Sequence, residues 1–288
     1  MWGLNFIAIH ASLGQFPPFL LAALRFAVIA VPTILLVPRP KVPMRWLLGY
    51  GIGFGTLQFL FLYWGMAVGM PTGLASLVLQ SSAPFTVLLG AVAFRDRVSA
   101  RQLVGLSVAT LGLAVVGWSQ AQAAAFGPFL LVLAGGFGWA IGNVSSARAK
   151  APNPLHLTLW MSVVPPVPML ALSLVIEGPD AIARSFVPGP QLLPALLGLA
   201  YTVLIGTLAG SGIWTWLMAR HPAGVVAPFS MLVPVVGLST SAVLLGEEIG
   251  MWTAVGAVLV IAGVLWGARR ARGAVPRSAG HRAAVLTP

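Results

Sequence analysis

Apolar positions along this chain cluster into long unbroken blocks, and the polar positions sit almost entirely in the short stretches between them. The blocks fall at residues 18–37, 44–68, 72–94, 100–118, 126–147, 155–176, 191–219, 223–245 and 251–268. Each is near the roughly 20 residues that cross a bilayer core of about 30 Å at 1.5 Å per residue. A further apolar segment, residues 1–13, is too short to span alone. Runs such as 77–94 do not alternate, as the strands of a membrane barrel would. The pattern predicts an all-α integral membrane protein of ten transmembrane helices, the first of them shortened at its N-terminus. The breaker-rich 38–43 and 177–190 and the polar 119–125 are expected to be loops.

The blocks also repeat. Pro71 and Pro222, Asp96 and Glu247, Gly105 and Gly256, and Gly112 and Gly263 are each 151 positions apart, and Pro84 and Pro234 are 150 apart. Five landmarks in one order at a near-constant offset indicate an internal duplication. Five spans per copy is an odd number, so the copies would lie inverted in the membrane, the architecture of many secondary transporters. The expected division is residues 1–118 as the first repeat, 119–125 as the connection, 126–268 as the second repeat, and 269–288 as a basic tail.

Composition agrees with a membrane chain: 58% of the 288 residues are hydrophobic, 7% are charged, and the mean hydropathy is +0.95. The net charge of +11 is spread over loops and tail rather than along a basic helix, which argues against a nucleic-acid partner. Fourteen of the 16 basic residues fall on one side of the expected topology. The positive-inside rule then puts both termini in the cytoplasm. The absence of cysteine removes disulfides and thiolate chemistry. No basic segment precedes a short apolar one at the start, so no cleavable signal is expected.

All five acidic residues (Asp96, Glu177, Asp180, Glu247 and Glu248) fall in expected loops. A proton-driven pump commonly keeps a carboxylate within the membrane. Its absence disfavours efflux of lipophilic cations and suits a zwitterionic or neutral solute in a pathway without fixed charge. Candidate substrate-binding residues are the polar and aromatic side chains in mid-span: Asn5, Gln58, Gln80, Trp139, Asn143, Trp160, Tyr201, Ser211, Trp214 and Ser230. Gln58 belongs to a stripe, Gly51, Gly55, Gln58, Leu62, Gly65 and Gly69, spaced as one face of a helix. Plainer roles stand beside these. Serines bond their own helix carbonyls, amides glue helices together, and Trp64, Trp118, Trp252 and Trp266 near span ends fit an interfacial belt.

Arg25 could meet a substrate carboxylate, snorkel, or bond backbone carbonyls. Pro84 and Pro234 each free a carbonyl and are candidate hinges. Asp96 and Glu247 are expected to cap the helices that follow them. The scattered histidines make no ligand cluster and there is no phosphate-binding loop, so no metal, cofactor or ATP hydrolysis is expected. An intramembrane enzyme would need a nucleophile with a base, which no span offers. A structural subunit remains open, as does the oligomeric state, a monomer included. Membrane lipids are the other expected contact.

Several of these stretches resemble the EamA family of the drug/metabolite transporter superfamily: Trp2-Gly3-x-Asn5-Phe6, Leu24-Arg25-Phe26, the small-residue start of the fourth span before Pro84, and the acidic loop before Gly105. In the second half they are 139–143, Val233-Pro234-Val235 and Leu245-Gly246-Glu247. Residues 2–6, Arg39-Pro40-Lys41-Val42-Pro43, 73–80 and 232–238 look most like the O-acetylserine/cysteine exporters. The resemblance covers residues 1–268 and implies two inverted five-helix repeats in a bacterial inner membrane. It also implies export of small amino acids or related metabolites by alternating access, without a cofactor. Such proteins usually carry a dozen or more apolar residues ahead of Trp-Gly, whereas here Met1 directly precedes Trp2. The expectation is therefore a short first helix or a start internal to the gene product.

Overall fold

The structure is a computed structural model that describes residues 1–95, 98–122, 126–221 and 226–268. It is helical, with no strand among the described residues. The helices are α1 (Asn5–Leu13), α2 (Pro18–Leu36), α3 (Met44–Ala67), α4 (Thr72–Phe94), α5 (Ala100–Gln122), α6 (Phe126–Ala149), α7 (Pro154–Glu177), α8 (Leu192–Leu217), α9 (Ala227–Met231 continuing as Leu232–Leu245) and α10 (Met251–Ala268). Eight of them, α2 to α8 and α10, are long and apolar enough to cross a membrane by length and composition.

Proline sets many of the starts. Pro18 opens α2, Pro43 precedes α3, Pro71 precedes α4 and Pro154 opens α7. A proline there supplies helical φ and has no N–H to leave unpaired. Asn153 completes the start of α7, its side-chain oxygen accepting from the backbone N–H of Leu155 at 3.0 Å and of His156 at 3.3 Å.

Two expectations about connections change. The polar run 119–122 is helical, because α5 continues to Gln122. Alanine and glutamine are good helix formers and nothing in the run breaks the pattern. The loop 177–190 contains a short helix, Pro179–Arg184. The tail 269–288, like Asp96, lies outside the described residues.

The departures from ideal helix recur at the repeat offset. A π-helical segment occupies Gly51–Leu57 in α3 and another occupies Tyr201–Ala209 in α8, starting 150 residues later. A 3-10 turn occupies Leu79–Ser81 ahead of Pro84, and one covers Ala227–Met231 ahead of Pro234. Arg95 closes α4 in the left-handed region at φ 55°, with its N–H bonded to the Gly90 carbonyl. Gly246 closes α9 at φ 68°, bonded to the Ser241 carbonyl. Part of the backbone irregularity thus recurs with the sequence, whereas the π-helical segment Ser173–Glu177 at the end of α7 has no counterpart in α2.

Helices α5 and α10 pack antiparallel through glycine. A Cβ on Gly105 would lie 2.5 Å from the Gly263 carbonyl oxygen, and one on Gly263 2.6 Å from that of Gly105. Gly112 and Gly256 stand in the same relation, at 2.8 and 2.9 Å. Since Gly105 matches Gly256 and Gly112 matches Gly263 at the repeat offset, each contact is the image of the other. Such close approach is open only to residues without side chains, and dispersion between the backbones holds the pair together.

Candidate functional site

One end of the molecule is cross-bonded between the two halves by carboxylates. Glu177, the last residue of α7, accepts from the backbone N–H groups of Phe19 at 2.6 Å and Leu20 at 3.0 Å, in the first turn of α2. Glu247, just beyond α9, accepts from Thr72 at 2.6 Å and Gly73 at 2.9 Å, in the first turn of α4. The expectation that Glu247 caps the helix after it is therefore corrected. It caps a helix of the other half, where two free N–H groups and the positive end of a helix dipole are on offer. At the same end the Gln15 amide donates to the Ser185 carbonyl at 2.9 Å, and the Thr72 hydroxyl pairs with His10 Nδ1 at 3.2 Å.

Between the halves lies Arg25, the eighth residue of the 19 in α2 and only 4% exposed. It neither snorkels nor bonds backbone carbonyls. Its Nη1 donates to the Tyr63 hydroxyl at 2.8 Å and its Nη2 to the Thr207 hydroxyl at 3.0 Å. The guanidinium sits 4.0 Å from the centre of the Phe59 ring. Leu21, Ala22, Phe26 and Ile29 around it on α2 are buried, so the side chain has no short route to an aqueous surface. Nε has no partner, and among the described residues no carboxylate pairs with the charge. Burying an unpaired ion is costly, and an ionisable group inside a membrane bundle is a functional-site candidate by that cost alone. The interior between the halves therefore holds a buried cation. The signal in the sequence was Leu24-Arg25-Phe26 in the middle of an apolar block.

All but one of the predicted site residues divide between two interfaces. In the first, α1 lies along α8 and α9. Trp2 Nε1 donates to the Gly206 carbonyl at 2.8 Å, and the Ser12 hydroxyl to the Ala195 carbonyl at 3.1 Å. Asn5 is 8% exposed, and a Cβ on Gly206 would stand 2.5 Å from its Oδ1, which has no hydrogen-bond partner. The Tyr201 hydroxyl donates to the Met1 carbonyl at 3.0 Å. Trp214 meets Trp2 with ring centres 5.2 Å apart, and it lines with Ser230 a pocket of about 280 Å³ between α8 and α9. Ser211 is half-buried on α8.

In the second interface, α6 lies along α3 and α4. Gly138 and Gly135 of α6 press on the backbone of Gln58, whose side chain is buried with Oε1 unpartnered. Trp139 packs edge-on to Phe54 with ring centres 6.0 Å apart. The Asn143 amide donates to the Thr86 hydroxyl at 3.1 Å, a bond between helices rather than a free group. Gln80 is buried within the 3-10 turn of α4. Trp160 belongs to neither interface; its Nε1 donates to the Val37 carbonyl at the end of α2, 3.0 Å away.

The glycine stripe containing Gln58 does not form one face. Gly51 and Gly55 meet Val164 and Pro165 of α7, whereas Gly65 meets Val132 of α6. The π segment between them has a wider turn and rotates the register. Pro84 and Pro234 are both buried, each just after its 3-10 turn. The four described belt tryptophans, Trp64, Trp118, Trp252 and Trp266, are all exposed.

Long apolar helices around a buried, partly unsatisfied polar centre define a polytopic membrane protein of transporter class. The chain belongs to the EamA-like transporter family, which matches residues 1–118 and 127–267. Among similar proteins is a "Probable amino-acid metabolite efflux pump" of Salmonella typhimurium, 43% identical over 270 residues, covering 92% of this chain and 90% of that one. A protein of the same name from Escherichia coli is 40% identical over 270 residues with the same coverage. A "Probable terminal-alkyne amino-acid exporter" of Streptantibioticus cattleyicolor is 29% identical over 257 residues, covering 88% of this chain and 82% of its own. A solved crystal structure shares the fold with a TM-score of 0.63 at 20% identity, over 94% of this chain and 95% of that one.

Proposed function

We propose that this chain exports small amino acids or related metabolites, of the O-acetylserine and cysteine type, across a bacterial cytoplasmic membrane. Ten spans form two inverted five-helix halves with both termini in the cytoplasm, and the chain is a carrier rather than an enzyme. The observation that carries this reading is the reciprocal glycine contact of α5 and α10, in which Gly105 meets Gly263 as Gly256 meets Gly112. Antiparallel helices related by that exchange imply a two-fold axis in the membrane plane, the arrangement through which transporters expose one site to each side in turn. The names of the 43% and 40% identical relatives support the substrate class.

On this topology Glu177 and Glu247 lie on the external face and tie it shut. Release to the outside then requires those four backbone bonds to open, with bending at Pro84 and Pro234. Substrate contacts come from the buried polar residues of the two interfaces, chiefly Asn5, Gln58 and Gln80. Tyr201, Ser211, Trp139, Asn143, Trp160, Trp214 and Ser230 hold or line the walls around them.

The test is uptake of labelled cysteine, O-acetylserine, threonine and an aromatic amino acid into proteoliposomes, beside a lipophilic cation, with and without a pH gradient. Saturable flux of one amino-acid class supports the reading. Flux of the cation alone, driven by the gradient, overturns it in favour of drug efflux. Gln80→Leu is expected to lower amino-acid flux severalfold, as loss of one polar contact of about 1 kcal/mol does, while leaving the amount of inserted protein unchanged.

A further inference from the structure

Arg25 and Asn5 are left with opposite needs. Arg25 has a donor, Nε–H, with no acceptor, and Asn5 has an amide oxygen with no donor. Both side chains are more than nine-tenths buried. They come to neighbouring residues of α8: Asn5 packs on Gly206, and Arg25 bonds the hydroxyl of Thr207. Neither completes the other here, since no hydrogen bond joins them.

The partners that Arg25 does have are neutral. The hydroxyls of Tyr63 and Thr207 hold two of its nitrogens and so fix the plane of the guanidinium, and the Phe59 ring covers one face of it. They orient the charge without cancelling it. A resident carboxylate would have cancelled it and would compete with any anionic ligand.

Resting on the export reading above, we propose that Arg25 receives the α-carboxylate of the exported amino acid and that the Asn5 amide accepts from its ammonium group. A zwitterion supplies the missing acceptor and the missing donor in one molecule. Charge-assisted bonds to a guanidinium are the strong kind and favour carboxylate geometry. Arg25 and Asn5 belong to the first half, and Thr207 and Gly206, which they touch, to the second, so a bound substrate would lie at the seam between the halves. The selectivity that follows is against amines and esters, which lack the carboxylate, and against N-acylated acids, which lack the ammonium.

The experiment is competition for uptake of labelled O-acetylserine into proteoliposomes holding the full chain, by O-acetylserine, its methyl ester and its N-acetyl derivative. For the wild-type protein the ester is expected to compete about tenfold less well than the free acid, the scale of one lost charge-assisted bond. Arg25→Gln should bring acid and ester to equal potency, Arg25→Lys should keep part of the difference, and Asn5→Leu should erase the penalty of the N-acetyl group while leaving that of the ester. An ester that competes as well as the acid in the wild-type protein overturns the proposal without recourse to any variant. An Arg25→Gln protein that still separates acid from ester by the wild-type ratio also overturns it. If the wild-type protein carries neither O-acetylserine nor any other amino acid, the export reading itself has failed, and this assignment with it.

Discussion

The two interfaces that hold the predicted site residues are counterparts, α1 on α8 and α9 in one and α6 on α3 and α4 in the other, yet they are filled differently. Helix α6 has 24 residues and α1 has nine. Trp2 lies in the turn just ahead of α1, whereas its counterpart Trp139 has thirteen helical residues of α6 ahead of it. Those residues cover α3, where Gly65 meets Val132 and the Pro128 carbonyl. The corresponding stretch of α8, with Ile213 and Leu217, instead faces the 280 Å³ pocket that begins at Met1. The solute site proposed above is the buried polar centre and not this hollow. Repetition of backbone makes the difference visible, because one half shows what the other leaves uncovered.

The largest way to break the correspondence is at α5 and α10. Gly263→Leu would push a side chain into the backbone of Gly105 and Ala109, where a Cβ has 2.5 to 3.0 Å. It should cost several kcal/mol, on the order of the worst overpacking cases, and should be read as loss of the monodisperse peak in detergent. Gly256→Leu should be as harmful if the contact is reciprocal. Next come the two carboxylate caps. Glu177→Gln and Glu247→Gln should each weaken the cross-half bonds by about 1.5–3 kcal/mol. Each should raise labelling of a cysteine placed at Phe19 or Thr72 by a membrane-impermeant reagent, and the double variant should raise it more than either. Unchanged labelling in all three would mean that the caps do not close that end. The smallest effect is expected at Arg95, which is held in the left-handed region where its counterpart is Gly246. Arg95→Gly should raise thermal stability by about 1 kcal/mol or less, by relieving that conformation.

Much of the fold was legible in the residues. Long apolar runs bounded by proline and glycine gave α2, α4 and α10 to within a residue, because in such runs every backbone group must be satisfied within the helix. What was not legible depends on neighbours distant in sequence. Nothing near Glu177 or Glu247 says that their partners are Phe19 and Thr72, more than 150 residues away. The π segments of α3 and α8 hold glycine (Gly51, Gly53 and Gly55; Gly206) but no proline, and glycine does not distinguish a widened turn from a close helix contact, so a stripe counted at regular helical spacing drifted off its face after Gly55. Arg25 was visible as an oddity, but the direction of a long side chain follows from packing and not from its position in a block. Asn5, Gln58 and Gln80 are buried and Asn143 is half-buried, and only contacts separate Asn143, which has a partner, from Asn5, whose oxygen has none.

The glycine contact of α5 and α10 has a consequence for ancestry. A surface on which residue i meets j and j meets i is self-complementary, the property that lets two identical molecules pair. Two separate copies of a five-helix chain, inserted in opposite orientations, would find the same handhold in Gly105 and Gly112. Joining them end to end would then add a tether without requiring a new interface, after which each copy could lose what the other kept: a carboxylate here, an arginine there, a glycine in place of Arg95.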